Sequence, residues 1–100
     1  MVIVTTSIEV SPGKDPQFQE SFHESAHFLS HQQGCGRIRL HRAQGSDRLY
    51  YLYIEWSNRK AFETAYQSAD FQQKLKAMPI TALPAMAYYD PVLEAVPHQH

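Results

Sequence analysis

The stretch Arg48-Leu49-Tyr50-Tyr51-Leu52-Tyr53-Ile54-Glu55-Trp56 alternates with period two. Tyr50, Leu52, Ile54 and Trp56 fall on one face of a strand, and Leu49, Tyr51, Tyr53 and Glu55 on the other. Neither face is cleanly polar, so such a strand needs cover on both sides. Upstream, the polar turn Gln44-Gly45-Ser46-Asp47 joins it to residues 37–42, where Ile38 and Leu40 alternate with Arg37, Arg39 and His41. The two runs read as a β-hairpin.

Further out, residues 2–10 form another alternating strand, with Val2, Val4, Thr6, Ile8 and Val10 on one face, ended by Ser11-Pro12-Gly13. From Asp15 to about residue 33, apolar side chains at Phe18, Phe22, Ala26 and Leu29 share one stripe at about 100° per residue, which predicts a helix. Asp15 before Pro16 is the expected cap, and Gly34-Cys35-Gly36 the expected stop. Beyond the hairpin, residues 57–68 predict a second helix capped by Ser57 or Asn58, with Ala61, Phe62, Ala65 and Tyr66 inward. Residues 69–78 continue it as a turn or short helix carrying Phe71, Leu75 and Met78. Pro79 and Pro84 break it, and residues 85–92 predict a last strand, which Pro91 suits to an edge or a swapped arm. The order is β-α-β-β-α-β, a ferredoxin-like α+β plan: a four-stranded antiparallel sheet with two helices on one face. Residues 1–95 are expected to form one domain, and 96–100 a flexible tail.

Helices cover one face of this sheet and leave aromatic residues on the other. A second copy of the same sheet is the simplest cover, making the chain a homodimer in which Arg37, Arg39 or His41 can meet Glu9 or Glu55. A chain of 100 residues gains from such a partner. Nine basic and ten acidic residues give a net charge of −1, which leaves no surplus to hold a nucleic-acid backbone. No apolar run reaches the length of a membrane span, and the first ten residues lack the pattern of a secretory leader, so a cytoplasmic location is expected. Cys35 is the single cysteine. It excludes an internal disulfide and reads as a small turn residue rather than a nucleophile.

Several local segments carry a resemblance: Val10-Ser11-Pro12-Gly13, Gln33-Gly34-Cys35, Tyr53-Ile54-Glu55-Trp56-Ser57 running into Ala61-Phe62, and Gln67-Ser68-Ala69-Asp70-Phe71. Together they resemble the antibiotic-biosynthesis monooxygenase family of dimeric α/β barrels, over nearly the whole chain. The most specific piece is the tryptophan before the second helix with the Ala-Phe pair that follows. The resemblance implies sheet-to-sheet dimers with a cleft between each subunit's helices and sheet. It also implies oxidation of phenols, hydroquinones or anthrones by dioxygen, without metal or flavin.

Branches of the family differ at places this sequence fills in its own way. Where haem-degrading members carry asparagine, tryptophan and a histidine ligand, this chain has Thr6, Ala65 and Leu75. Where quinol-oxidising members carry Pro-His it has Ala69-Asp70, and where anthrone-oxidising members carry polar residues it has Leu52, Phe62 and Lys76. The catalytic candidates are therefore Trp56, Asp70 and Lys76, with Thr6, Phe22, Tyr50, Leu52, Phe62, Tyr66 and Phe71 as the substrate-binding set. No cofactor or metal is expected. Trp56 reads equally as a core anchor with its indole N–H bonded to backbone, Thr6 and Tyr66 as satisfied core residues, and Asp70 as a helix cap. The same cleft can also serve a non-catalytic dimer that binds a hydrophobic small molecule. His23, His27 and His31 recur at metal-ligand spacing on the first helix, yet with Glu20 and Glu24 they sit opposite the apolar stripe, on a solvated face.

Overall fold

The computed structural model describes residues 1–98. In chain order the elements are strand β1 (Val2–Glu9), helix α1 (Asp15–Ser30), strands β2 (Cys35–Arg42) and β3 (Leu49–Trp56), helices α2 (Arg59–Tyr66) and α3 (Ala69–Ala77), and strand β4 (Ala87–Tyr89). The sheet order is β2-β3-β1-β4 and each neighbouring pair is antiparallel, which is the ferredoxin-like arrangement.

Register follows from the alternation. Val2, Val4, Thr6 and Ile8 lie opposite Trp56, Ile54, Leu52 and Tyr50, while Ile38 and Leu40 of β2 lie opposite Ile54 and Leu52. These residues share the helix-facing side. Those of β1 and β3 are buried with Phe18, Phe22 and Leu29 of α1, Phe62 and Ala65 of α2, and Phe71 and Leu75 of α3.

Several boundaries differ from the sequence expectation for local physical reasons. Asp15 does not cap α1; Lys14 holds the cap position without a side-chain bond. The Asp15 carboxylate instead accepts the Tyr50 hydroxyl and the Arg42 guanidinium, the latter at 3.0 Å, and is drawn across to the sheet. The regular helix stops at Ser30, because His31, Gln32 and Cys35 turn through backbone bonds to Phe28, Leu29 and Gln32. Ser25, not Ala26, takes the inward position on the stripe.

Gly34 turns the chain at φ +88°, and a Cβ there would stand 2.5 Å from Ser57 Oγ and 2.8 Å from Ala61 Cβ. Only glycine lets the start of β2 approach α2 this closely. The helical region after β3 is two helices, not one: Asn58 caps α2 through Ala61 N–H, and Ser68 caps α3 through Phe71 N–H. Asp70 is thus a first-turn residue rather than the cap. The last strand is three residues long and pairs Ala87–Tyr89 with Ile3–Thr5 at the sheet edge. Residues 90–98 carry no regular structure, and the remainder of the expected tail, Gln99 and His100, lies outside the described residues.

Candidate functional site

Between the sheet and the three helices lies a cavity of about 30 Å³. Its floor is Val4, Thr6, Ile8, Leu52 and Ile54; its roof is Phe22 and Leu29 of α1, Phe62 and Tyr66 of α2, and Phe71 and Leu75 of α3; Met78, Ile80, Pro84 and Met86 close the far side. A water needs roughly 10–15 Å³ and a drug-sized ligand roughly 300–1,000 Å³. In this conformation the space therefore admits a diatomic molecule or a water or two, and a larger aromatic enters only if a wall moves.

The lining is apolar. Thr6 faces this side, but its hydroxyl donates to the Ala85 carbonyl at 2.6 Å and so ties the loop before β4 to β1. Aromatic rings form a continuous packed set: Phe62 to Tyr66 at 5.4 Å, Tyr66 to Phe71 at 5.6 Å, and Phe62 to Tyr88 at 5.9 Å between centroids. Among the described lining residues Tyr66 carries the one phenol.

The structure brings together Thr6, Phe22, Leu52, Phe62, Tyr66 and Phe71 from the substrate-binding set. It places the other candidates elsewhere. Trp56 stands behind Phe62, edge to face at 5.8 Å, 1% exposed and outside the lining. The backbone partner expected for its indole is not there: Trp56 Nε1 is buried with no hydrogen-bond partner among the described residues, as is Ser25 Oγ. Asp70 and Lys76 are exposed on α3, and neither lines the cavity. Tyr50 packs tilted against Phe18 with centroids 4.7 Å apart and sends its hydroxyl outward to Asp15, accepting from Gln19 Nε2 at 2.9 Å.

Tyr50 belongs instead to an open groove of about 450 Å³ between α1 and β2, lined by Gln19, Phe22, His23, Ala26, Ile38, Leu40, Arg42 and Tyr50. The alternation that put Tyr50 on the inner face could not show this, because α1 covers β3 but only partly covers the edge strand β2, leaving Ile38 and Leu40 half-buried. His23, His27 and His31 are all exposed. The His27 and His31 rings lie tilted against each other with centroids 4.6 Å apart, and His31 Nδ1 lies 2.8 Å from the His27 carbonyl. Among the described residues no group of three or more His, Cys, Asp or Glu is placed to hold a metal.

On the outer face of the sheet Tyr53 donates to Glu55 at 2.9 Å, and this bond, with a smaller desolvation effect, raises the phenol above its ordinary value. Burial raises the Cys35 thiol above its ordinary range. Among the described residues no helix is long and apolar enough to cross a membrane.

The sequence profile of antibiotic biosynthesis monooxygenases matches residues 1–77. A crystal structure of a Bordetella bronchiseptica protein assigned to the same monooxygenases is similar at 25% identity, over 92% of this chain and 97% of that one, with a TM-score of 0.82. SnoaB, a cofactor-independent oxygenase from Streptomyces nogalater, is similar at 21% identity over 97% of each chain, TM-score 0.83. A Caulobacter crescentus protein assigned to these monooxygenases is similar at 21% over 92% and 90%, TM-score 0.81. The last two likenesses speak to the fold. No curated protein matches the sequence.

Proposed function

The chain belongs to the antibiotic biosynthesis monooxygenase family, and on that premise we propose that it oxidises a small aromatic or quinol with dioxygen, using no cofactor. The observation that carries this reading is the apolar cavity between sheet and helices. The fold it shares with SnoaB, a cofactor-independent oxygenase, supports the same reading. An electron-rich anion in a dry site is a stronger reductant than in water, because solvent no longer stabilises its charge. For an activated methylene the balance is closed: two hydrogens leave, one oxygen atom becomes the carbonyl, and the second departs as water with those hydrogens.

The chain's own task is then small. Thr6, Phe22, Leu52, Phe62 and Phe71 hold the ring and exclude water, and Tyr66, the titratable group of the lining, exchanges the proton. Trp56 acts as backing for Phe62. Asp70, Lys76 and Tyr50, which the sequence nominated, have no place in this scheme. A homodimer through the outer face of the sheet, where Leu49 and Tyr51 are exposed, belongs to the same proposal. So does a cytoplasmic setting, with Cys35 unpaired.

Oxygen uptake on a Clark electrode with anthrone and with hydroquinone is the test. Uptake above autoxidation is expected, and Tyr66→Phe should lower it by roughly 10². Uptake equal to buffer alone with both compounds sinks the catalytic reading. The small volume and apolar lining favour a second reading, a dimer that binds a hydrophobic molecule without turning it over. Naphthalene that raises the melting temperature while no oxygen is consumed would select it.

A further inference from the structure

A cavity of about 30 Å³ that must take an aromatic ring needs a way in. Two of its walls are held differently. The far wall, residues 79–86, is tied to β1 and its turn by hydrogen bonds: Ser11 N–H to the Pro79 carbonyl and Thr81 N–H to the Glu9 carbonyl, both at 2.9 Å, and the Thr6 hydroxyl to the Ala85 carbonyl at 2.6 Å. Opening that side breaks several bonds. The near wall is Phe22, whose side chain is held by packing alone, with the Phe18 ring 5.9 Å away. A ring held this way can change rotamer without breaking a hydrogen bond.

Phe22 is also the one residue that lines both the cavity and the α1/β2 groove. Helix α1 thus carries two stripes that meet at this ring: Phe18, Phe22, Ser25 and Leu29 toward the core, and Gln19, His23 and Ala26 toward the groove. At about 450 Å³ the groove has the room that the cavity lacks. Its floor of Ile38 and Leu40 is apolar, and one end is polar. Among the described residues Arg42 makes a single side-chain bond, to Asp15, and Gln19 donates to Tyr50 while its amide oxygen has no partner. An unspent guanidinium donor and an unspent amide acceptor sit above an apolar floor.

We infer that this groove is the vestibule of the buried cavity, with Phe22 as the movable wall between them. It receives a flat aromatic molecule that carries hydroxyl or carbonyl oxygens along one edge. The ring lies on Ile38 and Leu40, a carbonyl oxygen accepts from Arg42, a hydroxyl donates to Gln19, and rotation of Phe22 admits the ring inward. The inference rests on the reading of the cavity as the substrate site and adds the route and the features selected on the way.

Dihydroxynaphthalene and naphthalene are the probes, followed by amide NMR for location and stopped-flow fluorescence for rate. In the unmodified protein dihydroxynaphthalene should shift the His23 and Leu40 amides in a fast phase and those of Ile54 and Leu75 in a slow one. Phe22→Leu should speed the slow phase by about tenfold, as expected when a moving wall limits entry. Arg42→Met, an exposed change, should weaken the fast phase for dihydroxynaphthalene and leave naphthalene unaffected. Cavity shifts in one phase at a rate that ignores both substitutions overturn the vestibule and leave the substrate site standing. Two phases without any oxygen uptake sink the catalytic reading and keep the vestibule. No shift of the cavity amides with either probe overturns both.

Discussion

The two faces of β3 come from one stretch of chain and meet opposite fates. Tyr50, Leu52, Ile54 and Trp56 are 4%, 7%, 3% and 1% exposed, while Leu49 and Tyr51 on the other face are 48% and 42% exposed. Three helices of the same chain cover the first face, and among the described residues no helix lies over the second. Alternation decides which residues share a face, but the cover of a face is a property of the whole assembly. The inner face should therefore report on folding and the outer face on association.

The largest effect that can break this contrast is Trp56→Ala. Removing the indole takes away a buried surface packed on Phe62 and leaves a void in the core. A loss of about 3–5 kcal/mol in urea unfolding is expected. Tyr51→Ala, at protein concentrations low enough for a lone chain, should stay within about 0.5 kcal/mol. Equal losses would mean that the outer face is already covered within one chain.

Association sharpens the contrast from the other side. With both Tyr51→Glu and Tyr53→Glu, two carboxylates join Glu55 on the outer face, and like charges brought together across a sheet contact repel. Sedimentation velocity should find the unmodified protein at twice 11.5 kDa and the double variant at 11.5 kDa. An unmodified protein that sediments as one chain at every concentration removes the proposed dimer.

These experiments turn on features that were not equally legible. The strands were, because period two is a local property and survives in the register of β1 with β3 residue by residue. Caps were less so. Asp15 and Ser68 compete with every polar group within reach, and Tyr50 and Arg42, far away in sequence, decided the fate of Asp15. Six of the substrate-binding candidates meet because each lies on an inward stripe. Trp56 lies inward too and still misses the cavity, since position along a strand, not face alone, sets which void a side chain borders. Ser25 was not foreseen: nothing in composition marks a serine that takes a core place beside Ala26. The groove depends on how far α1 covers β2, a distance that no local pattern encodes.

A smaller effect probes the tie between the inner face and the loop behind it. Thr6→Val keeps the branched shape that suits β1 and removes the donor to the Ala85 carbonyl. Because Ala85 is exposed, water can replace the lost donor, and a cost of about 0.5–1.5 kcal/mol is expected. Hydrogen exchange should quicken at the amides of residues 80–86 and remain unchanged in β2. Unchanged exchange at 80–86 would mean that the loop is held by its apolar contacts instead, and would weaken the case for Phe22 as the easier wall.

The smallest expected effect lies on the outer face and concerns Tyr53. Its phenol is raised above the ordinary 10.0, first by donating to Glu55, then by desolvation and the charge of Glu55, with Arg39 opposing. A group whose folded value is raised stabilises fully below the unfolded value and loses that contribution as pH climbs through the folded one. The window is therefore strongly alkaline, starting at about pH 10, and neutral pH is unaffected. Melting temperatures of the unmodified protein and Tyr53→Phe, compared across that window, should converge as Tyr53 ionises, and the absorbance difference between them should titrate above the ordinary value. If a second copy covers this face, desolvation deepens and the difference titration moves further up; diluted until the chain stands alone, the protein should titrate lower again, though still above 10.0. A titration at the same place at both concentrations would show Glu55 acting without a partner and the face open to water.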